Sequence, residues 1–187
     1  VINNKAFFKK FFSDLQNQFG SQIKKGEVDL VAGGPPCQGF SGIGIRRSYS
    51  VDKEKLPSNH LFEDMAIFIK KVQPKAFLFE NVEGLLNARW TKDGSKGEIF
   101  EKVLATFVSL KAYNVRFKLI KAKDYGVPQN RPRVILIGIR RDIFKPSNDD
   151  FDAVNGNFLP PVLGGYPHFT DLLGDIIDPK FEYGGET

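Results

Sequence analysis

The sequence is poor in the residues that build cross-links and metal sites. It contains one cysteine and two histidines among 187 residues. A single cysteine excludes a disulfide within the chain and a cysteine-rich metal site, and it favours a reducing, cytoplasmic environment. The histidines, His60 and His168, show no metal-ligand spacing, so we expect surface or structural roles for both and no metal. No apolar run approaches the roughly 20 residues that cross a bilayer, and we expect no membrane partner.

The charge balance favours a polyanionic partner. The formal net charge is +5 and the pI is near 9.2. Lysine and arginine side chains in such excess can neutralise phosphates. Basic pairs recur along the chain, at residues 9–10, 24–25, 46–47, 70–71 and 140–141. For each pair taken alone a solvated surface is the better interpretation, so charge by itself decides little.

Hydrophobic periodicity predicts three amphipathic helices and four strands. The helices lie within residues 4–18, around Leu61, Met65, Phe68 and Val72, and around Ile99, Val103, Phe107 and Leu110. The strands are Val28–Ala32, Ala76–Phe79, Val115–Ile120 and Val134–Ile139. This alternation indicates an α/β sheet with parallel βαβ units. The last connection is too short for a helical crossover, so the fourth strand should return antiparallel.

Four reactive side chains are predicted to meet at one edge of this sheet. Cys37 lies on the loop after the first strand, and Glu80 is expected to end the second. The loop before the fourth strand brings Arg131 and Arg133 to the same edge, where α/β sheets bind ligands. Taken singly, each residue fits a bland role: a buried thiol, a solvated carboxylate or a surface loop.

These residue types suit nucleophilic addition to an electron-poor ring. Nearby guanidinium groups would lower the pKa of a thiol from about 8.5 toward the reactive thiolate. A carboxyl that shares a proton with a ring nitrogen can stabilise the charge of the adduct. Arginine can donate to a ring carbonyl and also fix the carboxylate. Gly33, Gly34 and Gly39 would let a ligand or backbone pass closely.

Three motifs in order resemble the cytosine-C5 DNA methyltransferase family. GGPPCQGFSGIG, residues 33–44, resembles the family's Pro-Cys-Gln nucleophile loop. FENV, residues 79–82, resembles its Glu-Asn-Val motif, and QNRPR, residues 129–133, its Gln-x-Arg-x-Arg motif. The resemblance covers roughly residues 13–142. It implies a Rossmann-like, S-adenosylmethionine-dependent methyltransferase sheet, mostly parallel with one antiparallel strand and incomplete at its N-terminal end.

The resemblance also implies a mechanism and a set of roles. The Cys37 thiolate would attack C6 of a cytosine flipped out of double-stranded DNA, and Glu80 would engage ring N3. Arg133 would hold the ring carbonyl and brace Glu80, Arg131 would support the thiolate, and Asn81 would order the loop around Glu80. Nucleic-acid contacts are expected from Gln38, Ser41 and Gln129, and cofactor contacts from Pro36, Leu61, Asp14 and Leu15.

Departures from the family pattern leave alternatives open. The Phe-x-Gly-x-Gly cofactor loop and the following acidic residue are absent from this sequence. Residues 1–144 are therefore predicted to form a partial catalytic domain, and residues 145–187 a loop-rich extension leading toward a missing target-recognition domain. We expect this segment alone to be inactive, needing missing segments or a complementing chain. The leading interpretation is a bacterial restriction-modification enzyme. Alternatives are a tRNA cytosine-C5 methyltransferase, a nucleic-acid-binding subunit of a split enzyme, and an unrelated α/β domain.

Overall fold

The computed structural model describes most of the chain as three helices and a four-stranded sheet. The described residues are 4–20, 23–36, 53–144, 161–165, 170 and 174. The helices are α1 (Asn4–Phe19), α2 (Leu61–Val72) and α3 (Glu98–Val108). The strands are β1 (Leu30–Gly33), β2 (Ala76–Val82), β3 (Tyr113–Lys121) and β4 (Pro132–Arg140). Short 3-10 turns occupy Lys53–Lys55, Pro57–His60, Glu83–Asn87 and Ala122–Tyr125.

The sheet has the order β1-β2-β4-β3, with β1 and β2 parallel. Strand β4 lies between β2 and β3 and is antiparallel to both. The first three strands therefore run in one direction, which confirms the predicted mixed sheet with one reversed strand. We call the edge at which β1, β2 and β3 end, and β4 begins, the carboxyl edge.

The core lies between one face of the sheet and helices α2 and α3. On α3, the residues Ile99, Val103 and Phe107 are fully buried, as their spacing predicts. Phe107 stacks on Phe77 of β2, with ring centroids 5.3 Å apart. Burying a phenylalanine fully contributes about 1.5–3 kcal/mol. Gly138 of β4 faces the Phe77 ring, which occupies the space that any side chain at that position would need.

Helix α2 buries a different face from the one that its sequence predicts. Its buried residues are Phe62, Ala66, Ile69 and Val72, whereas only Val72 of the predicted set is buried. The reason is that α2 has two neighbours. Its Phe68 turns away from the sheet and packs against α1, with ring centroids 5.5–6.4 Å from three phenylalanines: Phe8, Phe11 and Phe12.

Two further boundaries qualify the predictions. Strand β2 continues two residues beyond Glu80, so Glu80 does not end the strand as predicted. In the extension after residue 144, Leu163 N donates to Asp124 O at 3.0 Å. This hydrogen bond ties residues 161–165 to the turn after β3, while the proposed division at residue 144 stays a prediction.

Candidate active site

A carboxylate and a guanidinium meet at the carboxyl edge. Glu80 of β2 pairs with Ile135 of β4, and Val82 pairs with Arg133, so Glu80 and Arg133 are diagonal neighbours on one face of the sheet. Arg133 Nε lies 2.6 Å from Glu80 Oε1. The arginine side chain is 19% exposed and the glutamate side chain 38%, so the pair faces outward without being fully solvated.

The hydrogen bonding of this pair is incomplete. Within the described part of the chain, the buried Nε–H of Arg133 has no acceptor in line with it, despite the short distance to Glu80. Arg133 Nη1 donates to the carbonyl of its own neighbour, Pro132, at 2.7 Å. We therefore regard the contact as an ion pair. An ionised carboxylate accepts up to about four hydrogen bonds, so Glu80 keeps capacity for a further partner.

The loop that leaves β1 passes directly beside Glu80. A Cβ added to Gly34 would lie 3.0 Å from Glu80 Oε2, and one added to Gly33 would lie 3.1 Å from Met65 Sδ. Protein side chains therefore lie close to these two glycines, while the predicted passage of a ligand beside them stays a prediction. A larger residue at position 34 would displace the carboxylate.

Asn81 holds the same loop from the other side. Its Nδ2 donates to Pro35 O at 3.0 Å, and its Oδ1 accepts from Val82 N at 2.9 Å. The side chain lies on the core face of β2, where the residue is 4% exposed, so losing either bond would leave a buried polar group unpaired. Asn81 was expected to order the loop around Glu80; the contact that sequence reasoning missed is the one to Pro35. The Glu-Asn-Val stretch thus supplies a carboxylate on one face of β2 and a brace for the β1 loop on the other.

Three of the predicted site residues lie outside the described residues: Cys37, Gln38 and Ser41. Pro36 is the last described residue before them, and it is exposed. Residues 34–36, the described chain just before Cys37, thus start with Gly34 beside the Glu80 carboxylate. The position of the thiol itself stays a prediction.

Arg131 and Gln129 lie on the exposed turn before β4. Arg131 N donates to Gln129 O at 3.0 Å, and Arg131 O accepts from Ala122 N at 3.2 Å. These backbone bonds join the turn to the end of β3 and deliver the two arginines to the carboxyl edge. Arg133 reaches Glu80 from inside β4, whereas Arg131 remains on the solvent side.

The predicted cofactor residues fall in two places. Pro36 follows β1, and Leu61 begins α2 and is half-buried. Asp14 and Leu15 instead lie within α1, where Asp14 pairs with Lys10 Nζ at 2.7 Å and is 58% exposed. Helix α1 contacts the outer side of α2. Asp14 and Leu15 thus belong to a different element from Pro36 and Leu61, and the cofactor role of all four residues stays a prediction.

The described ranges contain neither a metal-binding cluster nor a membrane-spanning helix. Among those residues, no group of three or more histidine, cysteine, aspartate and glutamate side chains is arranged to hold a metal ion. In the same part of the chain, no helix has the length and apolarity to cross a bilayer.

Comparison with known proteins finds a family whose sequence model this chain matches. The model of the family described as C-5 cytosine-specific DNA methylase matches residues 2–180. Type II methyltransferase M1.HphI from Haemophilus parahaemolyticus is 40% identical over 151 residues, which cover 78% of this chain and 36% of the relative. Type II methyltransferase M.DdeI from Desulfomicrobium norvegicum is 40% identical over 168 residues, which cover 88% of this chain and 36% of the relative.

A solved structure shares the fold. The DNMT2 mutant from Spodoptera frugiperda aligns with a TM-score of 0.50 and 18% identity, over 91% of this chain and 50% of that one. The chain thus spans little more than a third of the two curated relatives and half of this structure. The family match, by contrast, runs through almost all of its 187 residues. The chain belongs to the C-5 cytosine-specific DNA methylase family.

Proposed function

We propose that the protein carrying this chain transfers a methyl group from S-adenosylmethionine to C5 of cytosine in DNA, as part of a bacterial restriction-modification system. The observation that carries the proposal is the Glu80–Arg133 ion pair beside the loop that leads to Cys37. Membership of the family and the type II names of the relatives support DNA as the substrate. Cytoplasmic localisation and a flipped cytosine in double-stranded DNA belong to the same proposal.

The proposed reaction begins at Cys37. Its thiolate forms a bond to C6 of the cytosine, and the electrons of the C5–C6 double bond move into the ring toward N3 and O2. Glu80 shares a proton with N3, which relieves the charge that develops there. Arg133 holds Glu80 and has donors left for the ring carbonyl. Arg131 adds positive charge on the solvent side of the same edge, which favours the thiolate.

The second half of the reaction restores the ring. S-adenosylmethionine, when bound, supplies an electrophilic methyl group. C5 would form its new bond to that methyl carbon while the methyl–sulfur bond breaks, leaving S-adenosylhomocysteine. A base would then remove the C5 proton, and its bonding electrons would re-form the C5–C6 double bond as the C6–sulfur bond breaks and releases the thiolate. Gly34 and Asn81 keep the β1 loop against β2 during these steps, because one leaves space for Glu80 and the other holds Pro35.

The described residues fit one side of a cofactor pocket. Pro36 and Leu61 lie after β1 and at the start of α2, and ligands of α/β sheets bind beyond strand ends of this kind. A Cβ at Gly33 would lie 3.1 Å from Met65 Sδ, so the backbone approaches α2 closely there. Pro36 and Leu61 would contact S-adenosylmethionine from this side.

The test is methyl transfer by the full-length protein. We expect labelled methyl groups to pass from S-adenosylmethionine to duplex DNA, and Cys37→Ser to abolish the transfer because a hydroxyl is a far weaker nucleophile at neutral pH. Ser13→Ala, on the exposed side of α1, is the matched control and should methylate at the parental rate. Methylation by Cys37→Ser would refute the covalent mechanism. Transfer to tRNA in place of DNA would replace the substrate assignment.

A further inference from the structure

The indole ring of Trp90 contacts both a histidine ring and a lysine ammonium group. The imidazole of His60 lies parallel to the Trp90 indole, with centroids 5.2 Å apart and planes inclined by 10°. Lys102 Nζ lies 5.3 Å from the centroid of the same indole and 3.0 Å from Glu63 Oε1. Parallel stacking and cation–π contacts of this kind hold the two partners against the indole.

His60 is fixed by its ring nitrogens as well as by its face. Nε2 lies 2.7 Å from Glu54 O, and because a carbonyl only accepts, Nε2 is the donor. Nδ1 lies 3.4 Å from Glu63 Oε1. Burial alone would raise the pKa of Glu63, but hydrogen bonds and charge from Lys102 and His60 outweigh it and hold that pKa below its ordinary 4.5. The four side chains and the Glu54 carbonyl thus form one connected cluster, which we name the His60 cluster.

The His60 cluster joins two parts of the chain that bear on catalysis. Glu54 and His60 belong to the 3-10 turns that follow residues 37–52, the segment containing Cys37. Trp90 lies after the turn that continues β2, and its backbone N donates to Glu98 Oε1 of α3 at 2.6 Å. The β2–α3 connection, through Trp90, therefore contacts the 3-10 turns that follow residues 37–52 in the sequence.

The residues just before the segment 37–52 are bound by β2, the strand from which the Trp90 connection continues. Asn81 of β2 binds Pro35, two residues before Cys37. The chain from β2 to α3 consequently holds both described flanks of the nucleophile segment, one through an amide and the other through a stacked imidazole. A side chain needed only to fill space at position 60 would not require a ring nitrogen aimed at a backbone carbonyl.

We propose that His60 is a positioning residue for the cysteine nucleophile, acting through its hydrogen bond to the Glu54 carbonyl while the Trp90 stack orients its ring. This proposal rests on the proposed function, since it gives His60 a role in the same reaction. Misplacing a nucleophile by about 1 Å can cost up to about 100-fold in rate. We therefore expect the loss of this hydrogen bond to lower kcat about tenfold, with KM for S-adenosylmethionine little changed.

The experiment compares three replacements at position 60 in the full-length protein. His60→Ala removes both contacts, His60→Phe keeps only the ring stack on Trp90, and His60→Gln keeps only a donor for Glu54 O. We expect Ala and Phe to lower kcat alike and Gln to recover within about threefold of the parent. Asp142→Asn, at the opposite end of the sheet, is the control for a small loss of stability. Full recovery by Phe would show a space-filling role and overturn the proposal.

A second measurement does not depend on methyl transfer. Alkylation of Cys37 by iodoacetamide, followed by mass spectrometry of its peptide, reports the environment of the thiol directly. We expect the rate in His60→Ala and His60→Phe to differ at least about threefold from the parent, and that in His60→Gln to stay near it. Unchanged rates in all three would overturn the positioning role. If the parent protein methylates nothing but the His60 variants still change the alkylation rate, the positioning role is preserved and the proposed function is refuted.

Discussion

Two arginine–carboxylate pairs lie at opposite ends of β4 and share the same short distance. At the carboxyl edge, Arg133 Nε is 2.6 Å from Glu80 Oε1; at the other end, Arg140 Nε is 2.6 Å from Asp142 Oδ1. Their surroundings differ. Arg140 Nε makes a true hydrogen bond, whereas Arg133 Nε, within the described chain, does not. Distance alone therefore does not separate the structural ion pair of Arg140 from the Glu80–Arg133 pair that we propose acts in catalysis.

The partners around Arg140 explain its structural character. Arg140 Nη1 donates to Gln73 O at 2.7 Å, and Gly26 N donates to the same carbonyl at 3.2 Å. Gln73 caps α2 in the left-handed region, with φ +48°, so its carbonyl is presented to both. Lys25 Nζ lies 3.1 Å from Asp142 Oδ2. Arg140 thus joins the approach to β1, the end of α2 and the end of β4.

The largest expected effect concerns Glu80, which we propose acts in catalysis. Glu80→Gln keeps the shape of the side chain but removes its charge and its proton affinity, so the N3 charge of the adduct loses its partner. We expect kcat to fall about 100- to 1000-fold in the full-length protein. The free energy of unfolding should change by less than about 0.5 kcal/mol, because the pair is partly exposed.

Steady-state methylation and urea unfolding check the two halves of that expectation. Asp142→Asn is the matched variant at the opposite end and should leave kcat unchanged. A parental kcat in Glu80→Gln would remove Glu80 from the chemistry and leave it as a structural ion pair like that of Arg140.

The next largest effect is expected on stability, with kcat unchanged, and it concerns Arg140. Arg140→Met keeps much of the aliphatic stem but removes the charged hydrogen bonds to Gln73 O and Asp142. We expect the free energy of unfolding to fall by about 2 kcal/mol, since a charged hydrogen bond such as the one from Arg140 to Gln73 O contributes about 1.5–3 kcal/mol. Urea unfolding measures the loss. Below the unfolding transition, kcat per folded molecule should match the parent; a fall comparable to that of Glu80→Gln would contradict the division between the two ends.

The convergence of Glu80 and Arg133 was predictable because it depends on chain direction. Parallel strands end at one edge, and a short connection forces the next strand to return from it. The helical spacing of Ile99, Val103 and Phe107 likewise predicts the buried face of α3, since that helix has the sheet as its main apolar neighbour. Directional rules of this kind need only local sequence.

Contacts between distant segments were not predictable in the same way. The predicted buried face of α2 was wrong because Phe68 packs against a second neighbour, α1. Periodicity within α2 does not reveal that neighbour. The stack of His60 on Trp90 joins residues with no shared pattern, and the bond from Asn81 to Pro35 depends on the register of β1 against β2. Such contacts follow from tertiary packing. The placement of Cys37, Gln38 and Ser41 stays a prediction.

The smallest expected effect is the pH dependence of the structural pair. Hydrogen bonds from Arg140 and then Lys25 hold the pKa of Asp142 below its ordinary 3.8. The unfolded chain, with the ordinary pKa, therefore binds more protons as the pH falls through 4, so the stabilisation is complete above that range and is lost as pH falls through the lowered pKa. The difference in unfolding free energy between the parent and Asp142→Asn should be constant from pH 7 to about 5 and shrink toward pH 3. In an Arg140→Met background the shrinkage should become smaller, because the first of the two donors is gone. A difference that stayed flat to pH 3 in the parent background would mean that the Asp142 contact, despite its 2.6 Å length, contributes nothing to folding.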